Sequence, residues 1–322
     1  MHQYLLLNAL VFDFIVGEVP NCIHPVVGIG QIIGYLRDWG LRRSKLGQVL
    51  SGIAIAGLLP TCSAFGLVLL VRLCDASEVA PLRWLGFILS ACILKSSFSL
   101  RALGEAGQRM AEALRNDDLL HARHHLRSLC SRDPCQLDAE DLSGATIESL
   151  TENLCDSIVA PLFYFTLFGL FGALFYRVVN TLDAMIGYRG RYEYLGKSSA
   201  RLDDVLNWIP ARISVLLLLA AGFFLKGDLR NAIRVSWRDH NETASPNAGW
   251  SMATMAGMLQ LELTKPGHYR LGCTQKLKRK LDATAIEHCW KIVRLASWMA
   301  FFSCISILTL CELPITFFGI PF

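Results

Sequence analysis

Six stretches of the chain are apolar on every face, and the segments between them carry a helical rhythm of polar and apolar positions. The six run near 3–17, 49–71, 80–98, 158–176, 207–225 and 293–311. The second is the clearest. Val49 to Val71 holds no charge, and that length crosses a hydrocarbon core of ~30 Å as a helix. Three of the others are imperfect. Lys95 stands near the end of the third, where a long side chain can snorkel to the interface. Pro161, Gly169 and Gly172 break the fourth, and Arg212 leaves only Ile213 to Leu225 uncharged in the fifth. Between 99 and 157 the pattern changes. Ala102–Leu114 and Leu119–Leu129 repeat apolar residues at helical spacing beneath charged faces. Arg132-Asp133-Pro134 marks a turn before a helix that begins near Asp138. No alternating strand pattern, internal repeat or low-complexity tract is visible. The pattern predicts an all-α, polytopic helical membrane protein with about 5–6 apolar segments. It forms one integral-membrane domain over 1–322, with a cytoplasmic helical insertion at about 99–157 and a cytoplasmic loop at about 226–292.

Charge supplies the topology. Segments 18–48, 99–157 and 226–292 hold an excess of Lys and Arg, so the positive-inside rule places them in the cytoplasm and the N-terminus outside. Strict alternation then sends 177–206, with five Lys and Arg, to the wrong side. A re-entrant or broken fourth segment resolves this, because irregular backbone is tolerated where protein buries it. The run Lys276-Leu277-Lys278-Arg279-Lys280 reads as a patch facing the lipid surface or the cytoplasm. Over the whole chain 53% of residues are hydrophobic and 18% charged, against roughly 25% charged in soluble domains. The net charge of +4 makes no case for nucleic acid. No basic stretch precedes the first apolar run and Asp13 interrupts it, which argues against a cleaved signal peptide. Eleven cysteines, several inside apolar runs and none in a CxxC, read as reduced core residues.

Several polar groups sit where they are costly. Glu148, Glu152 and Asp156 are spaced i, i+4, i+8, with Asn153 beside them. One helix would present them as an acidic stripe whose repulsion a divalent cation or a basic substrate relieves; the alternative is a solvated face. Arg177, Asn180 and Asp183 form a second set, and Asp203, Asp204, Asn207 and Arg212 a third. Each mixes acceptors with a cation, as a phosphate–metal site requires, or else forms an interhelical salt-bridge network. Gly190 to Ser198 ends in Gly-Lys-Ser, yet its glycines are one residue too far apart for a P-loop and no strand precedes them. Lys197 remains a simple charge for phosphate. Arg238-Asp239 and Ser245-Pro246-Asn247-Ala248-Gly249-Trp250 form a polar turn whose small residues permit close backbone approach.

Taken together, His24-Pro25-Val26 with Gly28, Glu148 to Phe163, Asn180 to Tyr188, Ala200 to Arg212 and Trp237 to Trp250 resemble the motif series of the CobD/CbiB family, adenosylcobinamide-phosphate synthase. Order and separation match over nearly the whole chain to about residue 270. The chain departs from the family at Gly17-Glu18-Val19, where Gly-Asp-Pro is usual, and at Leu154-Cys155-Asp156-Ser157, where Thr-Val-Asp-Gly is usual. Thr243 replaces a histidine and Met252 a glutamate. The resemblance implies a multi-pass enzyme of the inner cell membrane with a cytoplasmic active site. Such an enzyme joins adenosylcobyric acid to (R)-1-aminopropan-2-ol, or its O-phosphate, in an amide bond, using ATP. Ethanolamine phosphate is an alternative amine.

On that reading Glu148, Glu152, Asp183, Asp203 and Asp204 are catalytic, and Glu148, Glu152, Asp156 and Asp203 are the expected Mg²⁺ ligands. Arg132, Asn153, Asn180, Lys197, Arg201, Asn207, Arg212, Arg238, Asp239, Ser245 and Asn247 would bind substrate or phosphate. Asp204 is expected to hold Arg212. Mg²⁺ and ATP, the corrinoid, the aminopropanol phosphate, the lipid bilayer and other membrane enzymes of late cobalamin assembly are the implied partners. A membrane sensor resembling the AmpE group shares the layout but lacks most of the acidic blocks. A transporter would explain the broken apolar segments, though no repeat supports it.

Overall fold

The computed structural model describes residues 2–18, 20, 24–130, 132–188, 190–272 and 279–312; three residues of the basic patch, Lys276 to Lys278, lie outside these. In chain order the helices are α1 (His2–Ile15), α2 (Pro25–Leu41), α3 (Lys45–Asp75), α4 (Ala80–Lys95), α5 (Leu100–Arg115), α6 (Leu119–Leu126) and α7 (Ala139–Leu154). A π turn, Cys155–Val159, leads into α8 (Ala160–Ile186). Then come α9 (Lys197–Leu206), α10 (Trp208–Phe224), α11 (Leu229–Asp239) and α12 (Ala248–Leu259). A short ribbon of β1 (Leu263–Lys265) and β2 (Tyr269–Leu271) precedes α13 (Ala283–Glu312).

Each of the six apolar stretches is helical. Among the described residues four helical stretches are long and apolar enough to cross a membrane: Lys45–Asp75, Ala80–Arg115, Ala139–Ile186 and Ala283–Cys311. A fifth exists if α9 and α10, bent by 47° at Asn207, make one broken span. Helix α1, with 14 residues, is shorter than the ~20 that a crossing takes. The expected break in the fourth segment is a backbone feature. Gly169 leaves the helix at φ 61°, ψ −149°, a region open essentially to glycine alone.

Two compact units emerge. The first takes in the residues up to Phe98, Pro161–Ala200 and the chain from Met299 on. His24 starts α2 by accepting a hydrogen bond from the Val26 amide, with Pro25 at the first helical position, where a missing N–H costs nothing. Ile29, Ile33, Ile55, Val178, Leu182, Ile186 and Leu195 form its apolar core. Lys95 does not snorkel. Its side chain is fully buried, and the ammonium reaches Asp13 at 3.1 Å and Glu18 at 3.0 Å. His24 and Lys95 hold the Glu18 carboxyl below its ordinary range, more than offsetting the upward push of burial. Two opposite charges from separate apolar runs thus satisfy one another, as a membrane interior demands.

The second unit comprises Ser99–Ala160 and Arg201–Trp298. Helix α5 is strongly amphipathic: Leu100, Leu103, Gly104, Gly107, Met110, Ala111 and Leu114 are buried. Asp138 caps α7 through the Asp141 amide, and Glu140 and Asp141 complement the positive helix end. The ribbon departs from the expectation of no strands. It pairs Leu263 with Leu271 and Lys265 with Tyr269, and three residues per strand leave no period for a sequence to display. Leu263 and Leu271 are fully buried and anchor it.

Candidate functional site

In the second unit, α7 and β2 bring together a buried charged cluster. Glu148 is 5% exposed, and its Oε2 accepts a 2.7 Å hydrogen bond from Arg132 Nη2. Its Oε1 has no hydrogen-bond partner among the described residues. The Tyr269 hydroxyl faces the same carboxylate. Burial, and then the Glu148 charge, push the Tyr269 pKa well above its ordinary value and keep the phenol a proton donor. Glu148 is therefore not part of a solvated face. The sequence carried no sign of Tyr269, because the pairing depends on the ribbon's register.

The acidic stripe is interrupted before its third member. The backbone widens into the π turn at Cys155, so the i, i+4, i+8 register is not carried through Asp156. Glu152 and Asp156 are half-buried. Asn153 serves this turn: its amide donates to the Ser149 carbonyl at 2.9 Å, and its Oδ1 accepts from Ser157 Oγ at 2.9 Å. Ser157 is one of the family departures. Cys155 is another, and its thiol donates to Asn207 Oδ1 at 3.7 Å. Both substitutions bring hydrogen bonds of their own.

The elbow between α9 and α10 builds a second network. Asn207 Nδ2 donates to Asp203 Oδ2 at 2.9 Å, as their i, i+4 spacing anticipates, and both side chains are buried. Asp204 does not hold Arg212, contrary to expectation. The 47° bend takes α10 out of line with α9, so the i+8 alignment is lost. Asp204 Oδ1 instead accepts from Ser245 Oγ at 3.2 Å. Asn247 is the actual bridge: its Nδ2 donates to the Asp204 carbonyl at 2.7 Å, and its Oδ1 accepts from Arg212 Nη1 at 2.6 Å. The turn carrying Ser245 and Asn247 approaches backbone closely. A Cβ on Gly249 would stand 2.1 Å from the His240 carbonyl oxygen. Thr243, in place of the family's histidine, donates to the Ser245 carbonyl at 2.8 Å. Met252, in place of the glutamate, is buried in α12.

The other expected residues separate by role. Arg238 donates to both oxygens of Asp239 at 2.5 and 2.7 Å, and Asp239 also accepts from the Gly272 amide at 2.8 Å, tying α11 to the end of β2. Arg201 is exposed on α9. Arg177, Asn180, Asp183 and Lys197 belong to the first unit, where Arg177 Nη1 donates to Asn180 Oδ1 at 3.5 Å and Lys197 opens α9 from an exposed position.

Among the described residues no three His, Cys, Asp or Glu side chains converge as a metal cluster. Magnesium carried on nucleotide phosphates needs only one or two carboxylates beside water and phosphate oxygens, and the oxygen donors at Glu152, Asp156 and Asp203 are of that hard kind.

The family model described as CobD/Cbib protein matches residues 6–296. A cobalamin biosynthesis protein CobD of Dehalococcoides mccartyi (strain CBDB1) is 43% identical over 268 residues, covering 83% of this chain and 86% of its own. A probable cobalamin biosynthesis protein CobD of Pyrococcus abyssi (strain GE5 / Orsay) is 39% identical over 320 residues, 98% of this chain and 100% of its own. One from Methanocaldococcus jannaschii is 39% identical over 279 residues, with 84% and 89% covered. No solved structure matches. With a family model spanning residues 6–296 and a relative 39% identical over 98% of this chain, the chain belongs to the CobD/Cbib family.

Proposed function

We propose that this protein is an ATP-dependent amide ligase of cobalamin biosynthesis, joining the free propionate of adenosylcobyric acid to (R)-1-aminopropan-2-ol or its O-phosphate. The observation that carries the reading is the elbow network, in which Asp203–Asn207 and Asp204–Ser245–Asn247–Arg212 draw separate family motifs into one polar constellation. A network of that kind at the edge of an apolar helix is expensive unless it is used.

A carboxylate does not condense with an amine in water without activation. A propionate oxygen attacks the γ-phosphorus of ATP, the bond to the β-phosphate oxygen breaks, and ADP leaves with its electron pair. The amine then attacks the acyl carbon, and inorganic phosphate departs with the C–O electrons. Bound magnesium would supply charge neutralisation at the nucleotide phosphates. Asp203 takes the proton from the attacking ammonium, a role in which Asn207 keeps the carboxylate oriented. Glu152 and Asp156 are the candidate carboxylates for the metal-bearing nucleotide. Arg212 steadies an oxyanion, while Arg132 is already committed to Glu148. The site works from the cytoplasmic side of the cell membrane, where the nucleotide is.

Complementation tests this. Expression in a strain lacking the synthase should restore corrinoid production from supplied cobyric acid. Normal membrane abundance without rescue would refute the ligase reading.

A further inference from the structure

Arg212 differs from Arg132 and Arg238. Arg132 is paired with Glu148 and Arg238 with Asp239, whereas Arg212 hydrogen-bonds only neutral acceptors, the Asn247 side-chain oxygen at 2.6 Å and the Trp208 carbonyl at 2.9 Å. No carboxylate among the described residues forms a salt bridge with it. Two indoles flank the guanidinium instead, with ring centroids 4.9 Å away at Trp208 and 5.2 Å away at Trp250. The stack continues outward, since His240 lies on Trp250 at 4.0 Å with 29° between the rings, and Trp237 meets Trp250 edge-on at 5.3 Å. Trp250 Nε1 is a buried donor with no hydrogen-bond partner among the described residues.

A planar cation lying over two aromatic rings and fixed by an amide is preorganised, and both of its hydrogen bonds use Nη1, leaving Nε and Nη2 without a hydrogen-bond partner among the described residues. It is the fifth residue of α10, whose first turn carries no acidic residue, so no carboxylate at the positive end of the helix offsets its charge. A guanidinium at the head of an apolar helix with no counterion is an incomplete arrangement.

We infer that Trp208, Arg212 and Trp250, positioned by Asn247, form a receptor for a single oxyanion group, a carboxylate or a phosphate, bound at Nε and Nη2 of the guanidinium. Only the identity of the natural anion rests on the ligase reading. Within that reading the group is the corrin propionate or a phosphate of the nucleotide or amino alcohol.

The test is a titration of tryptophan fluorescence in the full-length protein in detergent, with inorganic phosphate and, separately, sodium propionate as probes. Neither is turned over, so the titration reports on the receptor whether or not the chain makes an amide. Wild type should show saturable quenching with at least one probe. Arg212→Lys keeps the charge but loses the stacked fork, and should weaken binding about tenfold, the scale of one charged hydrogen bond. Arg212→Gln should abolish the response, while Trp208→Phe, which keeps an aromatic face, should retain binding with reduced quenching. A response to phosphate alone assigns a phosphate, and a response to propionate alone assigns the carboxylate. Absence of saturation in wild type with both probes, or equal affinity in wild type and Arg212→Gln, would overturn the receptor.

Discussion

Glu148 and Arg132 show how far a single charge depends on its partner here. Both side chains are largely buried, at 6% and 12% exposure, so removing one charge strands the other. Glu148→Gln should lower stability by about 3–5 kcal/mol, the range for breaking a buried pair. Replacing both charges by apolar side chains of similar size should restore much of that. Thermal unfolding in detergent reads both, and unaltered unfolding of Glu148→Gln would show the pair to be inert. The elbow makes a second residue-level prediction. Because Arg212 is held by Asn247 rather than Asp204, Asn247→Ala should lower membrane abundance, whereas Asp204→Asn should leave it near wild type. Immunoblotting of membranes compares the two, and the opposite order would put the bridge at Asp204.

Among the elements, the apolar runs and the amphipathic helices were legible from periodicity, because burial on one face or on all faces imposes a spacing that side chains must obey. The breaks were less so. Gly169 stood out as a glycine in an apolar run, yet only backbone angles identify it as the residue that leaves the helix. The bend at Asn207 has no periodic signature, and so the i+8 alignment of Asp204 with Arg212 failed while the i+4 pair of Asp203 with Asn207 held. The ribbon and its Tyr269 were invisible for a related reason: pairing across a short turn is a matter of register, not composition. Gly169→Ala should cost about 1–3 kcal/mol, the usual penalty for a side chain in that backbone region. It would appear as a lower unfolding temperature, with Gly57→Ala, an open helical position, as the unperturbed control.

At the scale of the whole molecule, hydropathy made the membrane character plain, whereas the pairing of Lys95 with Asp13 and Glu18 did not emerge from it. Both charged ends lay in apolar runs, and the meaning of each depended on the other. The placement of loops is still open to direct test. If 99–157 and 226–292 face the cytoplasm, as the distribution of Lys and Arg predicts, cysteines introduced at Arg115 and Lys280 should resist an impermeant thiol reagent in intact cells and react after permeabilisation. Labelling of both in intact cells would reverse the arrangement.

The most direct measurement is a product assay on the purified protein supplied with adenosylcobyric acid, aminopropanol phosphate and Mg-ATP, with corrinoid product and ADP both quantified. The proposed chemistry predicts one ADP and one phosphate for each amide formed. Asp203→Asn, present at wild-type abundance, should form neither amide nor coupled ADP at a measurable rate. Amide formation at the wild-type rate by Asp203→Asn would remove the elbow from the reaction, and amide formed without ATP consumption would contradict the acyl-phosphate route itself.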